Sequence, residues 1–158
     1  MLWIREDYGI FRRSIYRAFI MKILDLITII SVIFLFFFFI ISITIYKINQ
    51  SKMDKIIESY IGKGLYLSAG VKLGRFLGVY GQYQVAIFFY MLLTGRRMRI
   101  NEKDSKYMYQ ESYNFIQNLP SSLTHWIKIY FITINISFIS FFISTVTALC
   151  HKYSYIFN

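Results

Sequence analysis

One cysteine and one proline in 158 residues exclude several architectures at once. A single thiol closes no internal disulfide and supplies no multi-cysteine zinc site, and a single proline cannot make a Pro-rich linker. Charge is scarce as well: 16% of the chain is charged, against a usual share of about 25%. Acidic residues are the scarcest, 8 against 18 Lys and Arg. The chemistry left over is thin. His125 and His151 flank the last apolar run at opposite ends, too far apart to share a metal. Cys150 is followed by His151, but sequence adjacency does not aim a base at a thiol. Gly62-Lys63-Gly64 lacks the rest of a phosphate loop, and no carboxylate pair lies within an apolar run as a proton relay needs. No catalytic, cofactor-binding or metal-ligating residue is expected, and the protein is expected not to be an enzyme.

What is abundant is apolar surface. Hydrophobic residues make up 56% and aromatic residues 20%, and in water such a chain would expose patches that aggregate. Ile, Phe, Tyr, Lys, Asn and Met, all with AT-rich codons, supply about half the residues, so AT-rich coding DNA is expected. Leu26 to Tyr46 and Ile129 to Cys150 are free of charge. At about 1.5 Å per residue, each run is long enough for the ~30 Å hydrocarbon core. Their β-branched and aromatic residues favour strands in water, but in lipid the backbone must satisfy itself, and helix wins. The first run exceeds a signal-peptide core, and Ile45-Tyr46-Lys47 offers no small-residue cleavage site. An uncleaved anchor is expected.

The fold expected is therefore an all-α integral membrane protein. A basic amphipathic helix over 1–22 leads into a transmembrane helix over 23–47. A basic, helical, Gly-rich middle follows over 48–125, then a second transmembrane helix over 126–150 and a short tail over 151–158. Within the middle, 76–95 reads as a poor third span or a surface helix, because only Val85 to Leu93 is densely apolar. An amphipathic helix is expected over 104–118, capped by Asn101 or Asp104, with Tyr109, Tyr113 and Ile116 on one stripe and Pro120 at its end. Ser121 or Ser122 caps the next helix, and Trp126 and Tyr130 suit an aromatic belt. Positive charge is divided on topology. With two spans, the loop from Lys47 to Lys128 holds 12 of the 18 basic residues and belongs in the cytoplasm. The arginines and lysine just before Leu26 favour an inside N-terminus and three spans.

Several residues are candidates for packing or partner contact. Gly70, Gly74, Gly78 and Gly81 fall on one face if this stretch is a continuous helix, making a strip where another backbone can approach. Thr133, Ser137, Ser140, Ser144 and Thr147 line one narrow face of the last run, the pattern of a helix–helix seam, while Asn135 points away from it. On the N-terminal stripe Ile4, Tyr8, Phe11, Ile15 and Phe19, the basic residues lie off the apolar face. Arg12, Arg13 and Arg17, with Arg96, Arg97 and Arg99, are expected to hold anionic headgroups. Asp25, one turn after Lys22, is expected to pair with it. Expected partners are an anionic bilayer and a membrane protein or second copy of the chain, not nucleic acid.

The segment Phe89 to Phe131, with Tyr90, Leu93, Arg96, Arg97, Ile100 and Asp104 as aligned positions, resembles the universal stress protein B family. That resemblance implies an N-terminal span, an amphipathic middle, a basic stretch leading into a helix with an acidic start, and a C-terminal span. It favours two spans, and the N-terminal arm and glycine strip are additions to it. By composition and architecture the whole chain resembles plasmid-encoded self-protection proteins of the bacterial inner membrane, which serve conjugal entry exclusion or bacteriocin immunity. The resemblance implies recognition of an incoming protein by helices and loops. The alternatives are a structural or regulatory subunit of a membrane complex and a small pore-forming, holin-like protein.

Overall fold

The structure, a computed structural model, describes residues 3–100 and 106–156, and the side chains of 15–78, 80–100 and 106–153 among them. Among the described residues five helices follow in order: α1 (Trp3–Gly62), α2 (Ala69–Phe76), α3 (Gln82–Leu93), α4 (Gln110–Gln117) and α5 (Ser121–Ile156), with a 3-10 turn at Gly78–Gly81 between α2 and α3. No strand occurs among the described residues; a single antiparallel bridge joins Arg99 and Tyr107. The protein is all-helical, and α1 and α5 are long and apolar enough to cross a membrane. The chain divides into two compact units. A helix pair comprises the chain up to Phe38 and from Ile136 onward; a multi-helix body comprises Phe39–Asn135.

Helix α1 continues unbroken through residue 22 and past residue 47, where separate segments were expected. Nothing in Arg17–Lys55 breaks a helix, since neither Gly nor Pro occurs there. It ends at a Schellman closure: the Leu65 N–H donates to Tyr60 O (3.3 Å) and the Gly64 N–H to Ile61 O (2.8 Å), with Gly64 at φ +70°. Only glycine adopts that conformation without penalty. Gly95 closes α3 in the same way.

In the helix pair, large side chains face outward. Ile29, Ile33, Phe34, Phe36, Phe37 and Phe142 are exposed, whereas Ser31, Ser137, Ser140, Ser144 and Thr147 are buried. The body is the reverse. Its centre holds Met53, Ile56, Ile57 and Tyr60 of α1, Val71 of α2, and Val85, Phe89 and Leu92 of α3, closed by Ile116 of α4 and Ile127 of α5. Tyr60 is the hub: its ring meets Phe88, Phe89 and Phe115 edge-on at centroid distances of 6.1, 5.7 and 5.7 Å. Edge-to-face geometry places the positive rim of one ring against the negative face of another. The Tyr60 hydroxyl, buried with the ring, donates to Tyr66 O at 3.0 Å.

Residues 76–95 form neither one span nor one helix. Phe76 ends α2, the 3-10 turn intervenes, and α3 has 12 residues. At 1.5 Å per residue α3 covers about 18 Å, well short of a bilayer. Its Val85, Ala86, Phe88, Phe89 and Leu92 are buried in the body, so its apolar density serves a protein core.

The helix expected over 104–118 begins only at Gln110; Asn101 and Asp104 lie outside the described residues. Residues 98–100 instead pair with 106–108, through Met108 N–H to Met98 O (2.9 Å) and Ile100 N–H to Lys106 O (3.1 Å). A backbone that donates across this hairpin cannot also donate along a helix. Of the expected stripe, Tyr113 and Ile116 are buried and Tyr109 is exposed. Pro120 follows the end of α4, and α5 starts at Ser121.

Candidate functional site

The candidate contact residues fall into the two units and are taken one unit at a time. In the helix pair the hydroxyl seam is occupied by the chain's own α1. Ser137 Oγ donates to Leu35 O at 3.2 Å, and Thr28 and Thr147 share a hydrogen bond of 2.7 Å. Small side chains let the helices approach, and their hydroxyls find hydrogen-bond partners within the pair. Ser144 and Thr147 also donate back to carbonyls of their own helix, Phe141 O and Ile143 O. The pairs Leu35–Ser137 and Thr28–Thr147 run in opposite sequence directions, so the helices are antiparallel.

Asp25 pairs with His151 and not with Lys22: Nε2 and Oδ1 stand 3.2 Å apart, with both side chains partly exposed. The register that joins Thr28 to Thr147 brings Asp25 opposite His151, a partner 126 positions away that no local reading reaches. Arg17 is exposed; the side chains of Arg12 and Arg13, and of Ile4, Tyr8 and Phe11 on the expected stripe, lie outside the described residues. Cys150 is exposed.

In the body, Thr133 and Asn135 turn to their own helix. Thr133 donates to Tyr130 O at 2.9 Å, and Asn135 Nδ2 donates to Phe131 O at 2.6 Å. Trp126 and Tyr130, expected in a lipid-facing belt, are buried against Tyr46, with ring centroids at 5.8 and 5.5 Å. Trp126 Nε1 donates to Leu123 O at 2.8 Å, so the indole needs no interfacial water.

The four glycines do not share one helix face. Ser68 caps α2 by accepting the Val71 N–H, and α2 stops at Phe76. Gly78 adopts φ +56°, a turn conformation that ends the strip. Gly74 and Gly81, both buried, then meet backbone to backbone across the turn. A methyl group built on Gly81 would overlap the Gly74 carbonyl, so this is a close approach that only glycine permits. Gly70 lies against the Gln84 side chain and is exposed. The contact is thus intramolecular, between α2 and the start of α3.

The basic cluster lies beside the pairing of 98–100 with 106–108. The Tyr113 hydroxyl donates to Arg96 O and accepts the Met98 N–H, both at 3.0 Å, which pins the hairpin to α4. Gln117 Nε2 ties α4 to Leu92 O at 3.3 Å. Arg96, Arg97 and Arg99 stay exposed. The Arg97 guanidinium lies 4.1 Å from the centre of the Tyr107 ring, and the Arg96 guanidinium 5.8 Å from that of Tyr90, which itself stacks on Phe131 at 3.7 Å. Rings under guanidinium groups fix where the charge is presented.

A second basic and aromatic surface lies on α2 and its turn, where Lys72 and Arg75 project away from Gly74 as the helical period implies and Phe76 and Tyr80 join them. A groove of about 710 Å³ runs beside α2, with Ile61, Leu65 and Leu67 as apolar wall and Lys72, Arg75 and Phe76 as rim. The available signal was the helical period of α2 alone: Val71 and Gly74 face in, while Lys72, Leu73, Arg75 and Phe76 face out. Among the described residues, no three His, Cys, Asp or Glu side chains are grouped so as to hold a metal ion. No family model matches this chain, and neither a curated protein nor a solved structure matches it.

Proposed function

We propose that the chain is a two-span integral membrane protein that acts, without catalysis, by recognising another membrane-active protein. Self-protection of a bacterial inner membrane, by conjugal entry exclusion or bacteriocin immunity, is the reading preferred. The observation that carries the membrane assignment is the inverted burial of the helix pair, with hydroxyls inside and phenylalanine and isoleucine outside. Such a surface suits surroundings as apolar as its side chains, and lipid is the simplest of them. The spans are Leu26–Tyr46 and Ile129–Cys150, and the residues between them carry most of the positive charge, which favours a cytoplasmic side for that segment.

Within this reading the hydroxyl seam and the Gly74–Gly81 contact hold the protein itself together. Recognition then falls to exposed surface, foremost the paired segments 98–100 and 106–108 and the exposed Arg96, Arg97 and Arg99, the first two of them held over aromatic rings. A subunit role in a resident membrane complex is the second reading, favoured by the bulky exposed Phe34, Phe36 and Phe37 face, which would suit partner helices as well as lipid.

The membrane assignment is tested by alkaline carbonate extraction of membranes from expressing cells: the chain is expected to stay in the pellet, and its release would defeat the assignment. Self-protection is tested in recipient cells expressing the chain alone, which should resist entry of the cognate plasmid or killing by the cognate bacteriocin. Resistance should disappear in the Arg96→Gln, Arg97→Gln, Arg99→Gln variant. Absence of any resistance, with a membrane-bound chain, would turn the assignment toward the subunit role. Ion or dye leakage on expression would point to a pore instead.

A further inference from the structure

The α2 helix and its 3-10 turn leave a cluster of apolar side chains unburied. Phe76 is 89% and Tyr80 92% exposed, and Leu73 and Leu77 beside them are more than half exposed. The tight Gly74–Gly81 contact brings the two arms of the turn together, so these side chains are projected outward and not folded under. A patch of this kind calls for an apolar neighbour. Lys72 and Arg75 lie on the same short helix three residues apart, hence as surface neighbours. Both are exposed, and neither forms an ion pair among the described residues. The location of the cluster supplies the neighbour. Arg75 stands close enough to the Tyr46 phenol for the two to interact electrostatically, and Tyr46 is the last residue of the first apolar run. Helix α1 continues past Tyr46 to Gly62, and Arg75, in the last turn of α2, comes back within electrostatic reach of Tyr46.

We infer that α2 and the 3-10 turn form a foot that rests in the bilayer interface, with Phe76, Leu77 and Tyr80 at the acyl boundary and Lys72 and Arg75 on anionic phospholipid headgroups. This rests on the reading of Leu26–Tyr46 as a span, because Tyr46 marks the height of the interface. The arrangement is that of interfacial helices generally: an apolar edge sinks below the headgroups and a basic edge stays among them. It gives the body a point of membrane contact in addition to the spans.

The test uses the full chain with Cys150→Ser, carrying Tyr80→Cys labelled with bimane, reconstituted in phosphatidylcholine vesicles with or without phosphatidylglycerol. Phospholipids spin-labelled near the headgroup end of the acyl chain serve as quenchers. Strong quenching is expected at position 80 and weak quenching at a control label placed by Asn118→Cys, at the end of α4. At equal mole fraction, spin-labelled phosphatidylglycerol should quench more than spin-labelled phosphatidylcholine. Each cation near a membrane surface favours anionic lipid by about fivefold. Lys72→Gln with Arg75→Gln should therefore remove most of that preference while quenching by phosphatidylcholine persists. An unquenched label at 80, equal quenching at 80 and 118, or no loss of lipid preference in the double variant would each overturn the foot. Protection of the label at 80 by a protein partner, without lipid quenching, would likewise overturn it. The spans are scored separately by carbonate extraction of the same variants. A retained chain with an unquenched label removes the foot alone, whereas an extracted chain removes the spans and with them the foot, which takes its height from the first span.

Discussion

The two units of this chain are built on opposite rules. The helix pair buries serine and threonine and exposes phenylalanine and isoleucine, whereas the body buries tyrosine, phenylalanine and isoleucine and exposes lysine and arginine. Helix α1 contributes to both, so the difference lies in the surroundings and not in the element. Where water is the solvent, burying apolar area drives folding. Where lipid is the solvent, apolar area is neutral, and close packing with shared hydrogen bonds holds helices together. Which side chains are inside thus separates the two units by the packing rule that each one follows.

The contrast is open to attack by substitution, with stability read from denaturant unfolding in detergent and followed by helical circular dichroism. The largest effect is expected from Phe89→Ala, which empties the centre of the aromatic cluster in the body and should cost about 3–5 kcal/mol. Phe36→Ala removes the same atoms from an exposed position in the helix pair and should stay within about 0.5 kcal/mol. Similar losses at the two positions would end the distinction between the units. Gly81→Ala is next: its methyl group meets the Gly74 backbone, and the forced separation of α2 from α3 should cost about 1–3 kcal/mol. A smaller effect than that of Gly81→Ala is expected in the seam, where Ser137→Ala loses one hydrogen bond to Leu35 O, worth about 0.6 kcal/mol between apolar helices. A loss as large as that of Phe89→Ala would mean that the seam, and not the aromatic cluster, dominates stability.

The two long apolar helices were legible in the sequence because the length of an uncharged run and the backbone's need for hydrogen bonds decide them without help from distant residues. The seam was legible for a similar reason. Serine and threonine at steps of four and three lie on one face of any helix, whatever that face meets. The end of α4 before Pro120 and the start of α5 at Ser121 followed from local chemistry too. The start of α4 did not, because Tyr109–Ile116 carries a helical stripe whose upstream neighbours are committed to pairing with residues 98–100.

What the chain by itself determined is where its two long apolar helices run and which face of the last one carries the hydroxyl seam, since both depend on residues within a few turns. What only the tertiary structure decided is who meets whom. The glycine pattern was compatible with one smooth helix, and the contact between Gly74 and Gly81 turned it into a fold-back. Trp126 and Tyr130 carry the chemistry of an interfacial belt, and Tyr46, some 80 residues earlier, drew them into a core. Asp25 had a lysine one turn away and took His151 instead, because an antiparallel register fixed by small hydroxyl residues put the imidazole there. In each case the deciding neighbour is remote in sequence, and its proximity is a product of packing that no local pattern encodes.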